Sequence, residues 1–112
     1  GAYAVSKAGV WMLARCLAEE LGPHGIRVNA LAPGFVRTRL LEERARRSVV
    51  GGDAGRAEEW LSARSAVLPL RRLGTTRDVA AAAVFLTAAD SGYVTGSALY
   101  PDGGLVSSTA GG

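Results

Sequence analysis

The sequence is poor in several residue types, and each shortage narrows what the chain can be. It contains one cysteine, Cys16, so no internal disulfide can form and a reducing, cytoplasmic setting is expected. Aromatic residues make up only 6% and do not alternate with basic ones, which argues against a nucleic-acid partner. The longest apolar run, AGVWMLA, lies between Lys7 and Arg15 and is far shorter than the roughly 18 to 20 residues of a membrane helix. We expect no membrane partner, and no metal-ligand spacing is present.

Charge is weakly positive, at +3, and the basic residues concentrate in RTRLLEERARR, from Arg37 to Arg47. This stretch could be a solvated helix face, a contact for an anionic substrate or a nucleic-acid surface. The spacing of Glu42 from Arg46, and of Glu43 from Arg47, is typical of ion pairs on a helix surface. The pattern therefore favours a solvated helix face.

Hydrophobic periodicity and turn residues predict the elements. A first helix at 2–21 is apolar almost all round, which predicts burial on more than one side, and Gly22-Pro23 should end it. Thr75 and Asp78 have the spacing of a capping box that opens a later helix. The predicted elements after the first helix are a strand at 26–32, a substrate loop or lid at 35–70 containing two short helices, a helix at 76–89, a final strand at 97–101 and a flexible tail at 106–112.

A strand, a crossover containing a helix, and a second strand imply two parallel neighbours in an α/β fold. We therefore predict one partial domain over 1–112, the carboxy-terminal part of a doubly wound parallel sheet. Two strands cannot form a stable parallel sheet that is buried on both faces. Because the first residue is also Gly rather than Met, we expect the amino-terminal part of the domain to lie upstream of this sequence.

The first helix carries a candidate for proton transfer. The only lysine, Lys7, stands four residues after Tyr3, while the chain has twelve arginines. Residues four apart share a helix face. A phenol has a pKa of about 10, and a cation within about 4 to 6 Å lowers such a pKa by roughly 1 to 3 units, towards the range where a general acid or base works at neutral pH. Taken alone, the pair would also suit an ordinary helix surface.

Two further motifs accompany this pair. Asn29–Gly34 reads N-A-x-x-P-G, and Val94–Gly104 reads V-T-G-x-x-x-x-x-D-G-G. With all three motifs in order, the sequence resembles the carboxy-terminal half of a short-chain dehydrogenase/reductase from Gly1 to about Leu105. The resemblance implies a Rossmann-like fold and an NAD(P)-dependent oxidoreductase that interconverts an alcohol and a ketone or aldehyde. Its small-molecule substrate could be a 3-oxoacyl thioester or a sugar or other secondary alcohol.

The resemblance also assigns roles to particular residues. Tyr3 would exchange a proton with the substrate oxygen, and Lys7 would also hydrogen-bond the nicotinamide ribose. The family's glycine-rich loop and catalytic Ser would lie upstream, so NAD and NADP both stay open and the fragment alone should be inactive. Arg37 and Arg39 are interpreted as solvated, and Asn29 as structural. The segment facing the nicotinamide would consist of Pro33, Gly34, Val36 and Thr38, with the backbone of Val36 meeting the carboxamide and the hydroxyl of Thr38 nearby.

The remaining predictions concern the assembly of the protein, a non-catalytic alternative and a possible phosphate loop. Family members commonly pair through the helix that corresponds to 2–21, so we expect a homo-oligomer, a dimer or tetramer, with Met12 or Cys16 close to an axis. The alternative from another class is a non-catalytic oligomerising module with the same fold. A phosphate loop at Gly51–Ala57 is rejected in favour of a turn, because a charged helix rather than a strand precedes it.

Overall fold

The structure is a computed structural model that describes residues 1–106, apart from the side chain of Tyr3. The predicted tail at 106–112 lies outside the described residues except for Val106. Among the helices of residues 1–106, none has both the length and the apolar character needed to cross a bilayer. The elements are α1 (Ala2–Leu21), β1 (Ala30–Leu31), α2 (Arg39–Arg47), α3 (Ala54–Ala66), α4 (Thr76–Thr87) and β2 (Ala98–Leu99), with short 3-10 turns at Gly22–His24, Val50–Gly52 and Ala89–Ser91.

The chain forms two compact units. The first comprises Gly1–Ala32 and Ala81–Leu99, and the second comprises Pro33–Ala80 and residues 100–106 of the described chain. The second unit is compact because the long segment between the two strands has a hydrophobic core of its own.

Helix α1 has the predicted bounds, Ala2–Leu21, but Gly22 is not the residue that breaks the helical backbone. Gly22, expected as the terminating glycine, keeps right-handed helical angles, with φ −53 and ψ −44. Pro23 then begins a 3-10 turn, and Gly25 stops it in the left-handed region at φ 75. A left-handed residue after a helix is the position where glycine costs least, so Gly25 is the true terminator.

Burial on α1 is confined to a narrow face within this chain. Ala14 and Ala18 are each 7% exposed, whereas Val5 is 73%, Met12 50% and Leu13 56% exposed. The expectation of burial on several sides is therefore not met by the chain alone, because nothing in its described part covers the larger apolar side chains.

The two strands are parallel, as predicted for the α/β fold. Ala30 pairs with Ala98 and Leu31 with Leu99. The ladder is shorter than the predicted strands at 26–32 and 97–101, since side chains replace backbone pairing just before it. Asn29 Nδ2 donates to Val94 O (3.0 Å), and Asn29 Oδ1 accepts from Ser97 N (3.1 Å). Asn29 thus has the structural role that the sequence suggested.

The second unit is built on a helical hairpin within the predicted lid. Leu41 and Ala45 of α2 pack with Ala57 and Leu61 of α3. The turn between the helices uses left-handed glycines at Gly51 and Gly52, and Asp53 caps α3 by accepting from Arg56 N at 2.8 Å. The glycine-rich stretch is therefore a turn and not a phosphate loop, as expected. Phe35, Val49, Trp60 and Leu73 pack against this core.

Candidate functional site

Tyr3 and Lys7 lie on one uninterrupted helix of the first unit. Both belong to the first two turns of α1, and a separation of four residues places them on the same helix face. Lys7 is exposed.

Pro33 and Gly34 belong to the second unit. In sequence they follow the carboxyl end of the parallel strand β1. The Gly34 backbone approaches Asp102 so closely that an added Cβ would lie 2.7 Å from Asp102 Cβ and 2.9 Å from its Cα. Gly34 N donates to Pro101 O at 3.5 Å, a long bond. Loops at the carboxyl ends of parallel strands form the ligand crevice of open α/β sheets. Only glycine fits this approach, which explains the P-G pair beyond its strand-ending role.

Val36 forms a parallel bridge with Gly74. Gly74 N donates to Phe35 O (2.9 Å), and Arg37 N donates to Gly74 O (2.8 Å). In this parallel bridge, Gly74 bonds to the residues before and after Val36 and not to Val36 itself. The N–H and C=O of Val36 therefore point away from Gly74. Val36 thus presents one hydrogen-bond donor and one acceptor, and a primary amide can bond to both.

Thr38 has a role that the sequence reading missed. Its hydroxyl oxygen accepts from Leu41 N at 3.2 Å, and its carbonyl accepts from Glu42 N at 3.0 Å, so it is the N-cap of α2. Threonine directly before a helical stretch is the sequence signal for this role. A hydroxyl that accepts such a bond still carries a hydrogen that it can donate.

Arg37 is exposed, and its guanidinium also makes ion pairs that the sequence does not reveal. Its Nη1 and Nη2 atoms donate to Glu58 Oε1 and Oε2, each at 2.8 Å, and its Nε donates to Glu42 Oε1 at 3.2 Å. The bonds to Glu58 first, and then to Glu42, raise the pKa of Arg37, while Arg37 lowers the pKa of the Glu58 carboxyl. The partner in α3 lies 21 residues away, a separation at which no local pattern signals a pair.

The basic stretch of α2 also forms different pairs from those its spacing suggested. Glu42 meets Arg37, and Glu43 meets Arg39 at 3.5 Å, rather than Arg46 and Arg47. The Arg39 side chain is 92% exposed, which agrees with a solvated helix face.

A groove of about 510 Å³ lies within the second unit. Arg72 and Asp78 line it and pair at 2.7 Å. Asp78 Oδ2 accepts from Thr75 N (2.8 Å) while Asp78 N donates to Thr75 Oγ1 (3.1 Å), which confirms the predicted capping box. Arg72, followed by Thr75, lowers the pKa of Asp78. Within residues 1–106, no three His, Cys, Asp or Glu side chains are placed to hold a metal ion together.

Comparison with known proteins identifies the class. A family model described as enoyl-(acyl carrier protein) reductase matches residues 1–106. The short-chain reductase protein NovJ of Streptomyces niveus is 44% identical over 102 residues, which cover 91% of this chain and 37% of that protein. The chain therefore belongs to the short-chain dehydrogenase/reductase family.

Solved structures agree with this assignment and with the α/β, Rossmann-like fold. A C-terminal deletion mutant of Thermoplasma acidophilum aldohexose dehydrogenase matches with a TM-score of 0.88 and 35% identity, over 94% of this chain and 45% of that one. The structure of ElxO with NADP bound matches with a TM-score of 0.76 and 33% identity, over 94% and 39%. The chain thus spans less than half the length of these relatives.

Proposed function

We propose that the full-length protein carrying this chain is an NAD(P)-dependent oxidoreductase that interconverts an alcohol and a ketone or aldehyde. The observation that carries the proposal is the position of Tyr3 and Lys7 on one face of α1 in a member of this family. When bound, the nicotinamide ring would supply or accept the hydride. The protein would have to handle the accompanying proton at the substrate oxygen.

Tyr3 is the residue we assign to that proton. Its hydroxyl would donate to the carbonyl oxygen during reduction and accept the alcohol proton during oxidation. Lys7, one helical turn away, would favour the ionised phenol by its charge and would hydrogen-bond the nicotinamide ribose with its remaining donors. A compact ammonium with three donors suits these two tasks better than a planar guanidinium.

The segment Pro33–Thr38 is the part we assign to the nicotinamide. The N–H and C=O of Val36, directed away from Gly74, suit the two sides of a carboxamide. The Thr38 hydroxyl retains a hydrogen to donate, and the absence of a side chain at Gly34 permits a close approach of backbone. These features fit a nicotinamide dinucleotide, NAD or NADP, and ElxO is an example of a related structure that contains NADP.

Two substrate classes have support among the relatives. The matching family model is described by an acyl-carrier-protein activity, and one matching structure is an aldohexose dehydrogenase. The direct test is to mix the full-length protein with NADH or NADPH and follow dinucleotide oxidation with a 3-oxoacyl thioester or an aldose, and the reverse reaction with the alcohols. Dinucleotide turnover with none of these carbonyls or alcohols would contradict the proposal.

We further propose that the protein is a homo-oligomer, a dimer or tetramer, of the cytoplasm. The exposed apolar side chains of α1 support the first part, because burial of each is favourable by about 1.5 to 3 kcal/mol. Cys16 is the single cysteine of these 112 residues, so they form no disulfide among themselves, which supports a reducing compartment.

A further inference from the structure

Arg37 stands between the two residues that we assign to the nicotinamide, Val36 and Thr38. Its guanidinium makes a two-pronged contact with Glu58 of α3, with both N–O distances at 2.8 Å. A bidentate pair of this kind fixes orientation as well as distance, because two parallel bonds resist rotation of the guanidinium plane. The end of the Arg37 side chain is therefore held in place, and Arg37 stands directly between Val36 and Thr38.

The backbone of Arg37 is held as well. Its N–H donates to Gly74 O at 2.8 Å, and Gly74 N donates to Phe35 O at 2.9 Å. The peptide groups on either side of Val36 are thus restrained by Gly74, and the next side chain is restrained by Glu58. Both restraints limit rotation of the N–H and C=O of Val36.

Glu58 is exposed, but residues buried in the core stand close to it in α3. Glu58 directly follows Ala57, which is 4% exposed, and Leu61, one turn later, is 3% exposed. Both belong to the core that joins α2 and α3. Packing of its neighbours therefore restrains the backbone of Glu58, while its side chain is 56% exposed.

A second carboxylate links the same guanidinium to the other helix of the hairpin. Arg37 Nε donates to Glu42 Oε1 at 3.2 Å, and Glu42 lies in the first turn of α2, the helix that Thr38 caps. Arg37 therefore connects the segment before α2 to both α2 and α3.

We propose that Arg37 is a positioning residue which, through Glu58, holds the Val36 peptide groups and the Thr38 hydroxyl in place for the nicotinamide end of the dinucleotide. The inference rests on the proposed function. It deepens that function by giving a role to a residue that would not itself touch cofactor or substrate.

The test compares Glu58→Gln with Glu43→Gln in the full-length protein. Glu43 pairs with Arg39 at 3.5 Å on the exposed side of α2, so its substitution removes the same charge without releasing Arg37. Exposed ion pairs have modest strength, so Glu58→Gln should raise the KM for the dinucleotide about three- to fivefold, with a smaller change in kcat. Glu43→Gln should leave both parameters at the wild-type values.

Two further measurements separate positioning from simple loss of stability. ADP-ribose (or its 2′-phosphate, if NADP is preferred) lacks the nicotinamide, so its dissociation constant should be the same in wild type and Glu58→Gln. The KM difference should also shrink at high salt, because salt weakens an ion pair between exposed side chains. Arg37→Lys keeps the charge but loses the bidentate contact with Glu58, so it should also raise the KM for the dinucleotide.

Three outcomes would overturn the inference. They are an unchanged dinucleotide KM in Glu58→Gln, an equal loss of affinity for ADP-ribose, or an equal effect of Glu43→Gln. Failure of the wild-type protein to bind either dinucleotide would instead overturn the proposed function, and the inference with it. Circular dichroism of each variant establishes that the compared proteins are folded.

Discussion

Gly34 and Asp102 approach each other so closely that position 34 has no room for a side chain. A Cβ there would lie 2.7 Å from Asp102 Cβ and 2.9 Å from Asp102 Cα. Asp102 cannot easily yield, because its carboxylate accepts from Gly104 N at 2.8 Å and Val106 N at 3.1 Å. The two residues follow the two parallel strands, and their contact fixes the beginning of the proposed nicotinamide segment.

Gly34→Ala should therefore destabilise the protein and weaken dinucleotide binding. Forcing one methyl group into such a contact costs about 1 to 3 kcal/mol in the free energy of unfolding. Denaturant unfolding of the full-length protein measures this, and Gly22→Ala is the matched control, since Gly22 has ordinary helical angles and no atom within 4 Å of an added Cβ. Equal unfolding free energies for Gly34→Ala and wild type would contradict the contact.

The Asp78 carboxyl should make stability depend on acid pH. Arg72, followed by Thr75, holds the pKa of Asp78 below its usual value. A carboxyl whose folded pKa is lowered stabilises the protein above its unfolded pKa of about 3.9, and this contribution is lost as pH falls towards the folded pKa. Wild type should thus be more stable than Asp78→Asn at pH 7. The difference should shrink progressively below about pH 5.

Substitutions of Thr75 check that this effect comes from the capping box. Thr75→Ser keeps the hydroxyl that accepts from Asp78 N, whereas Thr75→Val removes it. Loss of an N-cap hydroxyl costs about 1 kcal/mol, so only Thr75→Val should lower the free energy of unfolding by that amount. Equal stability of the Ser and Val variants would argue against the capping role.

Tyr3→Phe should reduce turnover in the full-length protein by at least about 100-fold, because it removes the proton-transferring hydroxyl and keeps the ring. Dinucleotide affinity and folding should change little. Tyr93→Phe is the control, since the Tyr93 side chain is fully exposed and should leave turnover unaffected. Near-normal turnover in Tyr3→Phe would remove the catalytic assignment.

The sequence predicted features that depend on local spacing. The capping box of Thr75 and Asp78, the bounds of α1 and the glycine turn at Gly51–Gly52 are all set by interactions within a few residues. The parallel relation of β1 and β2 also followed, because a helix-containing crossover joins them.

Long-range contacts could not be predicted in the same way. The bidentate ion pair between Arg37 and Glu58 joins residues far apart in sequence. Its formation depends on how α2 packs against α3. The Gly34 approach to Asp102 likewise brings together two loops. Strand length was overestimated because Asn29 replaces ladder bonds with side-chain bonds, which hydrophobic alternation does not reveal.

The 112-residue chain alone should not bind NADH or NADPH measurably. It spans less than half the length of its relatives, and its Gly51–Gly55 segment forms a turn that leads into α3 rather than a phosphate-binding loop after a strand. Calorimetric titration with each dinucleotide tests this. Submillimolar affinity for either would mean that the cofactor site lies largely within these residues.

The last prediction concerns assembly through α1. Val5, Met12 and Leu13 are each at least half exposed, and Cys16 is exposed as well, although the helix is apolar on several sides. Burial of each large side chain is favourable by about 1.5 to 3 kcal/mol, and a twofold contact lets one helix cover its own copy. The full-length protein should therefore be a homo-oligomer, most simply a tetramer, with Met12 or Cys16 near an axis. Light scattering at micromolar concentration should give a multiple of the protomer mass, and Met12→Arg should lower it. A monomeric wild-type protein, or an unchanged mass in Met12→Arg, would contradict assembly through this helix.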